Sequence, residues 1–492
     1  MARGWGARSG AAAPAEAGES GATAGTGARG KALLWTVLAG VALWLLPTPA
    51  GVEPRGWHLL AIFTATILGI MIQPLPMGAV AVLGITAAVL TGTLPIGDVM
   101  SGYGEPIIWL IVAAFFIAGG FLKTGLGMRI AYGFLAALGR TTLGLAYGLL
   151  ATDLVLAPAI PSNTARAGGV IFPIVRSLGK AAGSEPGQGT ERRMGAFLIM
   201  TAYHGTLITS AMFVTAMAGN PLAVALAGQQ GIRVTWGTWA TAGLVPGLFS
   251  LILIPLLLYR VYPPERRESP DAPVAARAQL RAMGPMRRPE WIMLGVFLLV
   301  LVLWIFGSSL GVDSTTAALV GLGVLLLTGA LTWDDVLGEK AAWDTFIWIG
   351  ALVMMASYLG DLGVTSWFSE RVGAMMGGIG WVPAFLGLSL VYFFSHYFFA
   401  SQTAHISAMY APFLAVALAV GTPPILAALV LGYFGNLFSS LTHYATGPAP
   451  IFFGSGYVGL GTWWKLGLLV SVVNIVIWLG VGSLWWKLLG LW

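Results

Sequence analysis

The sequence has no cysteine and very little charge. Without cysteine among 492 residues, disulfides, thiol catalysis and thiolate metal sites are excluded. Charged residues make up 9% of the chain, apolar ones 57%, and the mean hydropathy is +0.83. Soluble domains carry about 25% charged residues, so a soluble globular fold is excluded. Histidine is also scarce, with five residues scattered along the chain. No metal centre, cofactor or catalytic constellation is read from them, and no enzyme activity or nucleic-acid partner is expected. The period-two alternation of a membrane barrel is missing as well.

What the sequence does have is long apolar runs. Many exceed the roughly 18 to 20 residues that cross a bilayer, so the lipid bilayer is an expected partner. The 68 glycines suit helices that pack closely or break. The twenty tryptophans read mostly as interface anchors. The fold class is therefore an all-α polytopic membrane protein. Residues 1–31, rich in Ala and Gly, are expected to be a disordered tail without a secretory signal. A plastid transit peptide fits their arginines, but the segment is short and holds Glu16 and Glu19.

Spans are placed at 33–50, 57–73, 78–94, 106–123, 194–218 and 238–260. More follow at 291–308, 314–331, 343–360, 423–446 and 465–490. Two helical hairpins lie at 141–180 and 381–420. The division is a tail at 1–31, a first membrane half at 32–262, an Arg/Pro-rich linker at 263–290 and a second half at 291–492. The linker shows no helical periodicity. Short amphipathic interface helices are read at 125–139 and 363–378. With a cytoplasmic N-terminus, 20 Lys and Arg fall inside and four outside: Arg55, Arg233, Arg371 and Lys487. That asymmetry fits the positive-inside rule. It supports eleven spans plus two re-entrant hairpins in a cell inner (cytoplasmic) membrane.

The chain also repeats itself. "EPIIWL" at 105–110 meets "DTFIWI" at 344–349, an offset of 239. At the same offset "SNTAR" (162–166) meets "SQTAH" (401–405), and Pro173 meets Pro412. Past the first hairpin the offset falls to 230, where "GTLITS" from Gly205 meets "GNLFSS" from Gly435. On the topology above the halves are oppositely oriented, which is the inverted repeat of secondary transporters.

Both hairpins break at a small polar cluster. A helix restarting there aims its free N–H groups and positive dipole end into the break, where they favour an anion. Ser162, Asn163, Thr164, Ser401, Gln402 and Thr403 add hydroxyl and amide donors. Two such tips suit two carboxylates, hence a di- or tricarboxylate substrate. Arg166 and His405 each follow the tip serine by four residues. Two cations would balance a dianion. Each also has a structural reading: Arg166 bonded to carbonyls or to Asp153, and His405 packed and neutral. Later breaks, "TAMAGNP" (215–221) and "ATGPAP" (445–450), put Thr215, Thr446 and Gly447 at the same candidate site. Asn220 and Asn436 read equally well as satisfying helix ends.

"SNTARAGGVIFPI", "TAHISAMYAPF" and "FVTAMAGNPLA" resemble the divalent anion/sodium symporter family. Within it they are similar to the branch of bacterial citrate/succinate antiporters and plastid 2-oxoglutarate/malate translocators. The resemblance implies a homodimer in which a transport domain with both hairpins moves by an elevator mechanism. It implies that Ser162, Asn163, Thr164, Ser401, Gln402, Thr403 and Thr446 contact substrate. It also implies that basic residues at the Arg166 and His405 positions take the charge role of Na+. Gln402 departs from the Asn of the symporter motif. The expected function is Na+-independent dicarboxylate exchange, with Na+-coupled symport as the alternative.

Overall fold

The computed structural model describes residues 26–375 and 380–492. All its extended elements are helices; among the described residues there is no strand, only an isolated bridge between Thr141 and Glu268. The expected disordered tail, 1–31, lies outside the described residues as far as residue 25. Its last residues are helical, in Thr26–Trp44.

Seven described helices are long and apolar enough to cross a membrane, against eleven expected spans. They are Pro54–Ile72, Pro106–Thr124, Trp236–Val261, Arg288–Phe306, Lys340–Asp361, Trp381–Phe398 and Leu460–Leu488. Several others are apolar but shorter, among them Met77–Leu90 and Ser314–Leu327.

Two helices form the centre of the molecule. All 18 residues of Gly195–Met212 are buried, and Leu426 to Leu437 of Pro424–Leu437 are buried as well. A helix apolar or small on every face belongs inside a bundle. These two pack on each other. They are also the pair related by the 230-residue offset, which sets Gly205 against Gly435. The repeat thus meets itself at the core.

The hairpins wrap this pair. Thr141 caps Thr142–Leu156 by accepting from the Gly144 N–H at 3.0 Å. Fifteen residues rise only about 22 Å, less than the roughly 30 Å hydrocarbon core. After a break at Ala157–Ser162 the chain turns helical again at Asn163–Arg166. It passes through a π-turn at Ala167–Ile171 and continues as Phe172–Ala181. Pro173, which offers no N–H, follows directly and accounts for the lost register. The second hairpin has Trp381–Phe394, a 3-10 turn at Ser395–Phe398 and then Gln402–Ala419. It carries Pro412 inside a regular helix.

The linker corrects the sequence reading. Within 263–290 a helix runs from Asp271 to Ala282. Its signals are five alanines and two arginines, strong helix formers, with Asp271 in the first turn, Arg281 in the last and an inner face that buries Pro273 and Ala276. It packs on Leu126–Leu138. Arg129 of that helix donates to Glu290 Oε1 at 2.6 Å and to the Gly284 carbonyl at 2.9 Å. Of the second short helix, Val364–Met375 is present; 376–378 lie outside the described residues.

Candidate functional site

The two breaks end in the same local structure. Ser162 is extended and accepts from the Ala165 N–H at 3.1 Å; Ser401 is extended and accepts from the Ala404 N–H at 3.3 Å. Each serine is an N-cap. The N–H groups of the two residues after it, Asn163 and Thr164 or Gln402 and Thr403, have no acceptor within their helix.

The tips touch. Asn163 Nδ2 donates to Gln402 Oε1 at 3.1 Å and to Thr446 Oγ1 at 3.3 Å. Thr446 Oγ1 donates to the same Gln402 oxygen at 2.8 Å. Gln402 Nε2 then donates to the Gly435 carbonyl at 2.9 Å and to Asn436 Oδ1 at 3.3 Å. Asn436 Nδ2 donates to Asn220 Oδ1 at 2.7 Å. Asn220 Nδ2 closes the chain on the Ser210 and Phe213 carbonyls at 2.8 and 2.9 Å, the C-terminal end of Gly195–Met212. One line of amides therefore joins both tips and both later breaks. Asn163, Gln402 and Thr446 are buried and form its floor, while Ser162, Thr164, Ser401 and Thr403 are partly exposed and Gly447 is exposed. A Cβ at Gly447 would fall on the Thr164 hydroxyl. Glycine is required for that close approach.

Arg166, expected among the substrate contacts, lies behind this rim. It is fully buried. Its Nε donates to Asp153 Oδ1 at 3.1 Å, Nη1 to the Ile160 and Ala216 carbonyls at 2.6 and 2.5 Å, and Nη2 to Ser210 Oγ at 2.8 Å. Thr209 donates to the other Asp153 oxygen. The cation is neutralised inside the hairpin. Thr215 is buried as well. Its hydroxyl donates to the Pro158 carbonyl at 2.7 Å and accepts from Trp236 Nε1 at 3.1 Å. It ties the 215–221 break to the first hairpin and leaves no donor for a ligand.

His405 is buried too, stacked on Tyr392 with ring centroids 4.8 Å apart. Its Nε2 lies 2.9 Å from Ser395 Oγ. His396 stands beside it, ring centroids 5.2 Å apart, with Nε2 3.1 Å from the Ala445 carbonyl. The sequence reading treated the histidines as scattered; the fold brings these two together. Adding 239 to 153 and 166 gives 392 and 405. The ion pair of the first hairpin is thus replaced by Tyr392 and His405 in the second.

A cavity of about 560 Å3 lies elsewhere, between Leu126–Leu138, Phe172–Ala181 and Asp271–Ala282. Its walls are mostly apolar.

The family model for the sodium:sulfate symporter transmembrane region matches residues 28–492. The chain belongs to this family. Its relatives include the Bacillus subtilis (strain 168) protein YflS, 56% identical over 94% of this chain and 96% of that one. Dicarboxylate transporter 1, chloroplastic, of Spinacia oleracea is 54% identical over 95% of this chain and 82% of that one. The solved YdaH transporter of Alcanivorax borkumensis superposes with a TM-score of 0.55 over 80% of this chain and 87% of that one. At 15% identity that likeness concerns the fold alone. The family comprises membrane transporters and not enzymes.

For a transporter of this family, the residues missed by sequence reasoning are those that join the tips rather than form them. Asn220 and Asn436, which read equally well as satisfying helix ends, link the two halves directly. Their signal is that Asn436 falls within the repeat-related "GNLFSS" and Asn220 within the "TAMAGNP" break. His396 had none: its equivalent at minus 239 is Ala157.

Proposed function

We propose that this chain exchanges dicarboxylates across a membrane, independently of Na+, by an elevator motion of the domain holding both hairpins. The observation that carries this reading is the hydrogen-bonded meeting of two repeat-related helix N-termini at Asn163 and Gln402. A carboxylate entering from the rim finds hydroxyls at Ser162, Thr164, Ser401 and Thr403, together with backbone N–H groups at each N-terminus. In this reading each tip holds one carboxylate, and Asn163, Gln402, Thr446 and Gly447 complete the site. Arg166 and Thr215 position the first hairpin, and His405 the second. A spinach relative bears the name dicarboxylate transporter, which supports this substrate class.

The rest of the assignment goes with it. The halves at 32–262 and 291–492 form an inverted repeat of eleven spans, and the hairpins at 141–180 and 381–420 are re-entrant from opposite sides. The linker at 263–290 is cytoplasmic with the N-terminus, and the protein is a homodimer of the inner membrane. Thr142–Leu156 supports re-entry, being too short to span. Trp381–Phe398 is long enough to span on its own, so for the second hairpin re-entry rests on the meeting of the tips.

Sodium-coupled symport is the second reading. The family's name favours it, and so does the Arg166–Asp153 pair, which leaves the tips without a fixed positive charge. Counterflow of labelled malate into proteoliposomes separates the two. Exchange predicts full uptake with Na+ replaced by K+, and loss of uptake overturns it in favour of symport.

A further inference from the structure

We infer that the cavity between Leu126–Leu138, Phe172–Ala181 and Asp271–Ala282 is a phospholipid site. It takes an acyl chain inside and, at its rim, a zwitterionic headgroup with a primary ammonium. None of the tip residues line it, so it is separate from the substrate they take.

The interior suits hydrocarbon. Met128, Leu135, Leu145, Ile174, Leu178 and Met194 line it. Its volume of about 560 Å3 falls within the roughly 300–1,000 Å3 of ligand pockets. On Phe172–Ala181 the lining residues are Pro173, Ile174, Ser177, Leu178 and Ala181. That spacing is one face of a helix. The linker side is built largely of alanines, Ala272, Ala275, Ala276 and Ala278. Larger side chains there would close the gap.

The cavity lies where the apolar part of the first hairpin gives way to charge. Ile174 and Val175 are buried, whereas Arg176, Ser177 and Lys180 are exposed. Tyr132 of the amphipathic helix Leu126–Leu138 lines it and is partly exposed. Amphipathic helices and tyrosines with one wet end mark the headgroup level of a bilayer.

The rim carries both signs. On the hairpin side, Lys180 is exposed next to the lining residue Ala181. Arg193, also exposed, donates to the Gly183 carbonyl at 3.1 Å, next to the lining residue Ala182. On the linker side, Arg266 and Asp271 line the mouth, and Glu268 and Arg140 are exposed around the lining residue Ser269. Arg266 Nη2 lies 3.7 Å from Asp271 Oδ2, with the aspartate side chain 92% exposed. So long and wet a pair holds its members weakly. A headgroup with a phosphate and an ammonium finds a partner for each: the phosphate at Lys180 and Arg193, the ammonium at Asp271. Charge-assisted hydrogen bonds form at both ends. A purely anionic headgroup leaves Asp271 opposed, and a quaternary amine has no N–H to give it. A lipid seated there touches both the helix returning from the Ser162 tip and the linker helix.

Photolabelling of the purified full-length protein tests this. The probes are phosphatidylethanolamine and phosphatidylglycerol with identical chains, each bearing a terminal diazirine. Phosphatidylethanolamine should label Leu126–Leu138, Phe172–Ala181 and Asp271–Ala282 saturably. Its half-saturating concentration should be about fivefold below that of phosphatidylglycerol, the worth of one charge contact at a membrane surface. Ala275→Trp fills the cavity and should abolish this label. Asp271→Asn should raise the half-saturating concentration of phosphatidylethanolamine to that of phosphatidylglycerol. Lys180→Gln should weaken both lipids about fivefold. Labelling confined to other helices overturns the site. Equal or tighter binding of phosphatidylglycerol by the wild type overturns the headgroup assignment. Undiminished labelling of Ala275→Trp shows that the chain is not in the cavity and overturns the inference as well. The wild-type label map and lipid preference decide even where a variant does not fold.

Discussion

Replacing Asp153 with Asn isolates the charge in the first hairpin. The substitution keeps the shape and one acceptor for Arg166 Nε, but removes the negative charge. Arg166 has 0% of its side chain exposed and Asp153 2%, so water cannot take over. Removing one partner of a buried pair costs about 3–5 kcal/mol. The retained hydrogen bonds to Ile160, Ala216 and Ser210 favour the lower end. Unfolding free energy in detergent should therefore drop by about 3 kcal/mol, a shift of more than a hundredfold in the folding equilibrium. Arg166→Ala should lose a similar amount, because it strands the Asp153 carboxylate. Asp153→Leu combined with Arg166→Met should recover most of it, since apolar replacement of a whole buried pair is often neutral. Arg166→Lys should not, because one ammonium cannot reproduce a fork held by four acceptors. The reasoning is refuted if Asp153→Asn changes stability by less than about 0.5 kcal/mol and tightens dicarboxylate binding. Arg166 would then be a substrate ligand held back by Asp153.

Gly447→Ala should abolish uptake while the protein still runs as a monodisperse species on size exclusion, because the new Cβ pushes Thr164 off the rim. Gln402→Ala leaves the Gly435 carbonyl and Thr446 without their partner. It should cost about 1–3 kcal/mol of stability and weaken dicarboxylate binding measured by calorimetry. Thr215→Val strands the Pro158 carbonyl and Trp236 Nε1. It should lower stability by about 1–2 kcal/mol and leave the KM of the folded fraction in an uptake assay unchanged.

The all-helical fold was legible because apolar runs and missing charge admit no other class. The repeat was legible from spacing alone, and the structure sets its central helices against each other. Tip contact follows the same arithmetic: Asn163 and Gln402 are 239 residues apart and share a hydrogen bond. What the sequence hid was direction. "SNTAR" tells that an arginine follows the tip, but not which way its side chain turns. That depends on Asp153 thirteen residues earlier and on the Ala216 carbonyl fifty residues later. Burial without a partner is prohibitive for a guanidinium, so the rotamer follows the acceptors. The linker helix was hidden for the opposite reason. Its buried face is made of small residues, Pro273 and Ala276, so no large hydrophobic run marks it.

The buried ion pair at Arg166 sets the two halves apart. In the first hairpin the repeat position carries a cation with every strong acceptor already supplied: Asp153, Ser210 and two carbonyls. Such a group is fixed in charge and geometry whatever enters the tips. In the second hairpin the same positions carry Tyr392 and His405, with a phenol in place of the carboxylate and a titratable base in place of the guanidinium. There the hydrogen-bond inventory is incomplete at both imidazoles and at the phenol. The two halves repeat each other in sequence, so this difference is informative. A locked ion pair makes one tip rigid, whereas the other keeps buried polar atoms without partners. Exchanging the pairs, with Asp153→Tyr and Arg166→His in the first half, would give that half the same incomplete inventory. Its cost in stability would measure how much of the tip's rigidity the ion pair supplies.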